Sequence, residues 1–206
     1  MKTSLLICAF FVAGVLLGWA GGVPKVLLPP AEGLGAGFYL LCVLMIFVGV
    51  GVGGSGKALR VVKQVHWKIV FVPLAVVVGT FIGCLVVAAT VPMLTLHDSL
   101  AAGSGLGFYS MSSFIIQGPP WHNETLAAVA LFANMAREIA TLLFTPLFVR
   151  YFGKLAPIGT GGATTMDTTL PIIAQESGKD YGMIAAFSGV VLSAIVPVLV
   201  PLIMAM

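Results

Sequence analysis

Six stretches of this chain run for about 20 residues or more with almost no charge, which is the length a helix needs to cross a hydrocarbon core of about 30 Å. Residues 3–24, 33–56, 69–97, 99–123 and 181–206 contain no Asp, Glu, Lys or Arg. Residues 125–149 are interrupted only by Arg137 and Glu138. Strands of a membrane barrel would alternate polar and apolar residues over segments of about ten, and no such alternation is present. Composition agrees: charged residues make up 8% of the 206, against about 25% in soluble domains. The expected fold is an all-α, multi-pass integral membrane protein.

Other classes fall away quickly. The net charge of +3 sits in short loops rather than in one patch, so it does not point to nucleic acid. Cys8, Cys42 and Cys84 lie inside apolar runs with no CxxC and no metal spacing, and read as small packing residues. No metal or other cofactor is expected. Lys2 and the apolar run 5–20 resemble a signal peptide, but Gly18-Trp19-Ala20 is a poor cleavage site and further spans follow, so a retained first helix is the simpler reading.

Loop charges set the orientation. Lys57, Arg60, Lys63 and Lys68 lie in one acid-free loop, and Arg150 and Lys154 follow the 125–149 segment. Both loops are expected in the cytoplasm by the positive-inside rule. Two cytoplasmic loops are joined by an even number of crossings. A helix over 69–90 and another over 125–149 already supply two, so residues 97–117 should make no net crossing. Glycines at 103, 105 and 107 each weaken a helix by about 1 kcal/mol relative to alanine. Ser104, Tyr109, Ser110, Ser112 and Ser113 add hydroxyls to the same segment. A broken or re-entrant element explains both features, since non-helical backbone survives at membrane depth where it lines a cavity. The plainer alternative is a small-residue helix-packing face.

A second Gly- and Thr-rich element, residues 159–171, begins on the opposite side. The pattern is an inverted repeat in which two discontinuous elements meet near the midplane, where transporters build substrate sites. A full crossing by the second element is the competing reading. The expected architecture is about five full transmembrane helices plus the two re-entrant elements. It forms one transport domain over 1–206, with a first helical hairpin and basic loop in 1–68 and a core in 69–206.

Glu138 carries the sharpest chemical signal. It lies thirteen residues after Thr125 and eleven before Val149, near the bilayer centre, where an ionisable group is a functional candidate by default. Asn134, Thr141 and Thr145 share its helical face. Arg137 points about 100° away. It is expected either to pair with Asp167 and fix the second element, or to meet a substrate carboxylate. Thr164, Asp167 and Thr168 share a face if that piece is helical, and Thr164 could instead cap a short helix holding Asp167 in its first turn. Carboxylates attract cations and helix N-termini attract anions, so the site suits a zwitterion with extra positive charge, such as a basic amino acid. Burial favours the protonated carboxyl and a bound cation favours the carboxylate. Glu138 can therefore alternate between proton and substrate, the minimum for antiport. The substrate- and proton-binding set is completed by Ser104, Tyr109 and Ser112. His66, His97 and His122 are weak candidates. Trp19, Trp67 and Trp121 read as interface anchors.

Three segments carry a family resemblance: Gly105-Leu106-Gly107-Phe108-Tyr109-Ser110-Met111-Ser112, Asn134-Met135-Ala136-Arg137-Glu138-Ile139, and Gly162-Ala163-Thr164-Thr165-Met166-Asp167-Thr168-Thr169-Leu170-Pro171. Together, in this order, they resemble the lysine exporter family of the LysO type. The resemblance implies a bacterial inner-membrane exporter of L-lysine that exchanges it for protons and handles analogues such as thialysine. It also implies that an intramembrane glutamate important to transport corresponds to Glu138. Single-chain members carry an additional N-terminal membrane region with a second functional acid. The expected explanation here is a split transporter whose N-terminal part is a separate small membrane protein. A truncated chain, or a shorter member that compensates as a homodimer, are the alternatives.

Competing functions are a transporter of another small organic ion and a purely structural membrane subunit. An intramembrane hydrolase fits poorly. Asp167 lacks the GxGD setting of aspartyl proteases, and Ala102-Gly103-Ser104-Gly105 misses the GxSG pattern of serine ones. No enzyme activity is expected.

Overall fold

The computed structural model describes residues 67–206, together with Val43 and Ile46, which are helical. The expected spans 3–24 and 33–56, the basic loop up to His66, and Trp19, Cys8 and Cys42 lie outside the described residues. Contacts divide the chain at Phe47 and Val48, and residues 67–206 all belong to the second unit. The described residues are helical throughout, without strands.

A 3-10 turn at Trp67–Val70 leads into α1, Phe71–Thr90. Pro92 stops α1, because the residue before a proline is pushed out of the helical region, and Val91 is extended at φ −111° and ψ 97°. After this corner comes α2, Leu96–Gly103, opened by a reciprocal cap. The Asp98 amide donates to Thr95 Oγ1 at 3.1 Å, and the Thr95 amide donates to the Asp98 carboxylate at 3.3 Å. Ser99 Oγ donates to the Cys84 carbonyl at 2.8 Å, so α2 folds back along α1.

The chain then breaks and re-forms as α3, Tyr109–Gln117. A corner at 118–123 leads into α4, Glu124–Phe152, capped by Asn123, whose side chain accepts from the Leu126 amide at 3.0 Å. The 29 residues of α4 span about 43 Å at 1.5 Å each. Gly153, at φ 91°, ends it.

Next come α5, Ala156–Gly161, a 3-10 segment at Gly162–Met166, α6, Leu170–Ser177, and α7, Lys179–Met204. Pro157 and Pro171 sit in the first turns of α5 and α6, where a missing N–H is harmless. Among the described residues three helices, α1, α4 and α7, are long and apolar enough to cross a membrane.

Two contacts establish how the broken elements run. Lys154 Nζ lies 5.6 Å from the Tyr181 ring centroid, so the chain returns to the face of the membrane it left at the end of α4. The element 156–177 is therefore re-entrant, which decides between the two sequence readings. At the other end, His97 Nε2 lies 3.1 Å from the Ile203 carbonyl. The first element, α2 and α3, enters from that face and turns back to it, where the Asn123 amide donates to Ile116 at 3.2 Å. Two hairpins thus enter from opposite faces, as the inverted-repeat reading requires. The interior combines fully buried Ile116, Ile158, Ile173, Leu192 and Val196 with many buried hydroxyls. Most of those hydroxyls donate to carbonyls three or four residues back, as Thr141 does to Arg137 at 2.9 Å.

Candidate functional site between the hairpin tips

Each hairpin breaks where its backbone enters the positive-φ region. Leu106 and Gly107 have φ 49° and 101°, and Gly162 has φ 61°. The breaks lie against each other. The Ala163 amide donates to the Leu106 carbonyl at 2.8 Å. A Cβ on Gly162 would collide with that same carbonyl oxygen, and one on Gly107 would lie 2.9 Å from the Gly161 oxygen. Glycine is required at both positions by conformation and by space.

Asn134, 3% exposed, holds the first break in place. Its Oδ1 accepts from the Gly107 amide at 2.8 Å, and its Nδ2 donates to the Ala102 and Ala130 carbonyls, both at 2.8 Å. One side chain thereby satisfies backbone groups that the broken helix leaves orphaned. Arg137 does the same for the second hairpin. Its Nε donates to Thr160 O at 2.7 Å and its Nη2 to Gly159 O at 2.8 Å. The expected pair with Asp167 is not formed. The closing carbonyls of α5 offer the guanidinium a nearer partner, while Asp167 turns to Thr168, accepting from its amide at 2.6 Å and its hydroxyl at 3.0 Å.

Between the tips lies a cavity of about 80 Å³, bordered by Gly107, Tyr109, Ser110, Thr164, Asp167 and Thr168 among others. Four of the residues expected in the site, Tyr109, Thr164, Asp167 and Thr168, meet here. A turn brings them together rather than a helical face: 162–166 is 3-10 and α6 starts only at Leu170. Asp167 is thus outside any helical first turn. Thr164 caps no helix, its hydroxyl donating instead to Gly161 O at 2.9 Å.

Glu138 is 7% exposed. The Thr168 side chain lies beside its carboxyl, and Asp167 and Tyr109 are close enough to interact with it electrostatically. The rest of the α4 stripe, Asn134, Thr141 and Thr145, is buried as the spacing predicts. Thr141 and Thr145 bond to backbone one turn back and do not border the cavity.

Ser104 and Ser112 are fully buried, with their hydroxyls donated to Ala101 and Tyr109 carbonyls at 2.7 and 3.2 Å, so they pack beneath the site rather than line it. Ser110 and Ser193 line it instead. Ser193 comes from α7, with its Oγ 3.5 Å from Met166 Sδ. Nothing in the apolar run around Ser193 marks it in the sequence. Cys84 is free and buried, as expected of a packing residue. Among the described residues no cluster of His, Cys, Asp or Glu could hold a metal ion.

Comparison with known proteins gives the family. The profile of the family described as "Lysine exporter LysO" matches residues 8–204. The chain is 30% identical over 200 residues to the "Lysine exporter LysO" of Escherichia coli K12, covering 96% of this chain and 62% of that protein. It is 31% identical over 191 residues to a "Putative lysine exporter" of Haemophilus influenzae, covering 91% of each. No solved structure matches. The family is one of transporters, not enzymes, and the chain belongs to it: this is a lysine exporter LysO family protein.

Proposed function

We propose that this chain forms the transport core of a secondary transporter that exports L-lysine, and analogues such as thialysine, from the bacterial cytoplasm across the inner membrane in exchange for protons. One observation carries the reading. Buried Glu138 lies beside Thr168, and Thr168, Asp167 and Tyr109 border the small cavity where the two opposed hairpins touch. A carboxyl buried at membrane depth is held either by a proton or by a cation. A substrate ammonium and a proton are then alternative occupants, and exchange of one for the other couples their movements.

The geometry suggests how access alternates. The cavity of about 80 Å³ has room for a few waters and not for a whole amino acid. The hairpins must part to admit substrate. Because they enter from opposite faces, parting on one side need not open the other. The basic residues Arg150 and Lys154 support a cytoplasmic position for the second hairpin's face.

The test is efflux of labelled lysine from preloaded proteoliposomes containing this chain, under an imposed proton gradient, with Glu138→Gln as control. Flux in the wild type and none in the control supports the reading. A second arm adds any small membrane protein encoded beside this one, which tests the split-transporter expectation. A third measures activity against subunit number, which tests the homodimer. Silence in every arm removes lysine as the substrate.

A further inference from the structure

A second cavity lies on the other side of the second hairpin. It measures about 760 Å³ and is bordered by Phe71, Val76, Gly79 and Thr80 of α1, by Gly159 and Thr160 of α5, and by Arg137. Phe71 and Leu155, at its rim, mark the face that carries Lys154 and Tyr181. The wall between the two cavities is thin. Gly159 and Thr160 border the large cavity, while Ala163 and Thr164, three to five residues on, border the small one. Arg137 borders the large cavity, whereas Asp167 and Thr168, the latter beside Glu138, border the small one.

Among the described residues, Arg137 is the one charged group bordering the large cavity. A guanidinium has five N–H donors. Within the described residues it forms two hydrogen bonds, both to carbonyls. No carboxylate of the described residues pairs with it, the ion pair among them being His97 with Asp98 at 4.0 Å. In residues 1–66 the only acid is Glu32. A half-buried cation without an anion is costly, and carbonyl dipoles offset only part of that cost. The unused donors fit a carboxylate, for which the planar fork is the best-matched side chain. The other walls of the cavity are mostly aliphatic, which suits a methylene chain.

We propose that this cavity receives the carboxylate of the transported molecule, and that Arg137 is the residue distinguishing an amino acid from a diamine. A fixed positive charge on the cytoplasmic approach repels a bare diamine and attracts an α-carboxylate. The acidic pair beyond the wall then takes the ammonium. This inference rests on the reading of a basic amino acid as substrate.

The experiment measures binding of L-lysine and of 1,5-diaminopentane, which is lysine without its carboxylate, to the purified full chain by calorimetry. The ratio of the two affinities within one preparation does not depend on the folded fraction. The wild type is expected to favour lysine by about tenfold or more, the scale of a charge-assisted hydrogen bond. Arg137→Gln should bring the ratio close to one by weakening lysine alone, with Arg137→Lys in between. Gly79→Leu is the second variant. A Cβ at Gly79 meets nothing within 4 Å, so a leucine there narrows the cavity without touching the Arg137 carbonyl bonds. It should weaken lysine several-fold and leave the diamine unchanged. Equal binding of both ligands by the wild type, or an unchanged ratio in Arg137→Gln, overturns the proposal and leaves lysine transport standing. Binding of neither ligand removes the substrate reading and this inference together.

Discussion

The Ala163 amide and the Leu106 carbonyl, 57 positions apart and on hairpins that enter from opposite faces, are joined by a 2.8 Å hydrogen bond. That bond sits among glycines because both backbones must approach to van der Waals contact. Gly162→Ala should therefore be severely disruptive. The methyl meets a backbone oxygen that cannot swing away, and φ 61° disfavours any side chain. A loss of about 2 kcal/mol or more is expected from strain alone, seen as a lowered Tm in detergent, along with lost efflux. Gly83→Ala, in open space, should leave Tm unchanged or raise it.

Asn134 serves three backbone groups at once. Asn134→Leu keeps the volume and orphans the Gly107 amide and the Ala102 carbonyl. Each stranded buried group costs about 1–3 kcal/mol. Asn134→Asp keeps the acceptor for Gly107 and loses both donors, so it should fall between wild type and leucine. Thermal unfolding of the three proteins checks that order.

Thr165 is fully buried, and its hydroxyl lies 2.7 Å from Gly162 O and 2.8 Å from Ala185 O, tying the tip of the second hairpin to α7. Thr165→Ser retains the hydroxyl and should transport. Thr165→Val has nearly the same shape without the donor and should lose about 1–3 kcal/mol of stability and most of its flux. Equal behaviour of the two variants would show that the hydroxyl is dispensable.

Single cysteines in a background lacking the native three can map the small cavity. Ser110→Cys and Thr168→Cys border it and should react with a small water-soluble thiol reagent. Ser104→Cys and Ser112→Cys are fully buried and should not. Lysine should protect the first pair if it binds between the tips. Reaction at Ser104→Cys as fast as at Ser110→Cys would contradict the packing described.

Much of this was readable in the sequence because lipid imposes simple rules. A charge-free run has to span or re-enter, and loop charge with crossing parity distinguishes the two. The α4 stripe was readable because an acid, an amide and two hydroxyls at helical spacing have to face away from lipid. The role of Arg137 was not. Sequence reasoning looks for a carboxylate opposite an arginine, and its partners here are the carbonyls of Gly159 and Thr160. Every residue owns a carbonyl, so no residue type announces such a partner. The serines failed for a related reason: Ser104, Ser110 and Ser112 look alike on paper, and only the exact turn of the break decides which face the cavity.

The joint between the hairpins is made of peptide groups. Its hydrogen bond runs from backbone to backbone, so substitution at the surface of the tips has little to strengthen or weaken. One amide hydrogen bond contributes about 1 kcal/mol, a factor of about five in population, which thermal motion readily overcomes. Turnover should then be tuned away from the tips, in how firmly α4 and α7 anchor each hairpin. Gly107 and Gly162 keep the latch light.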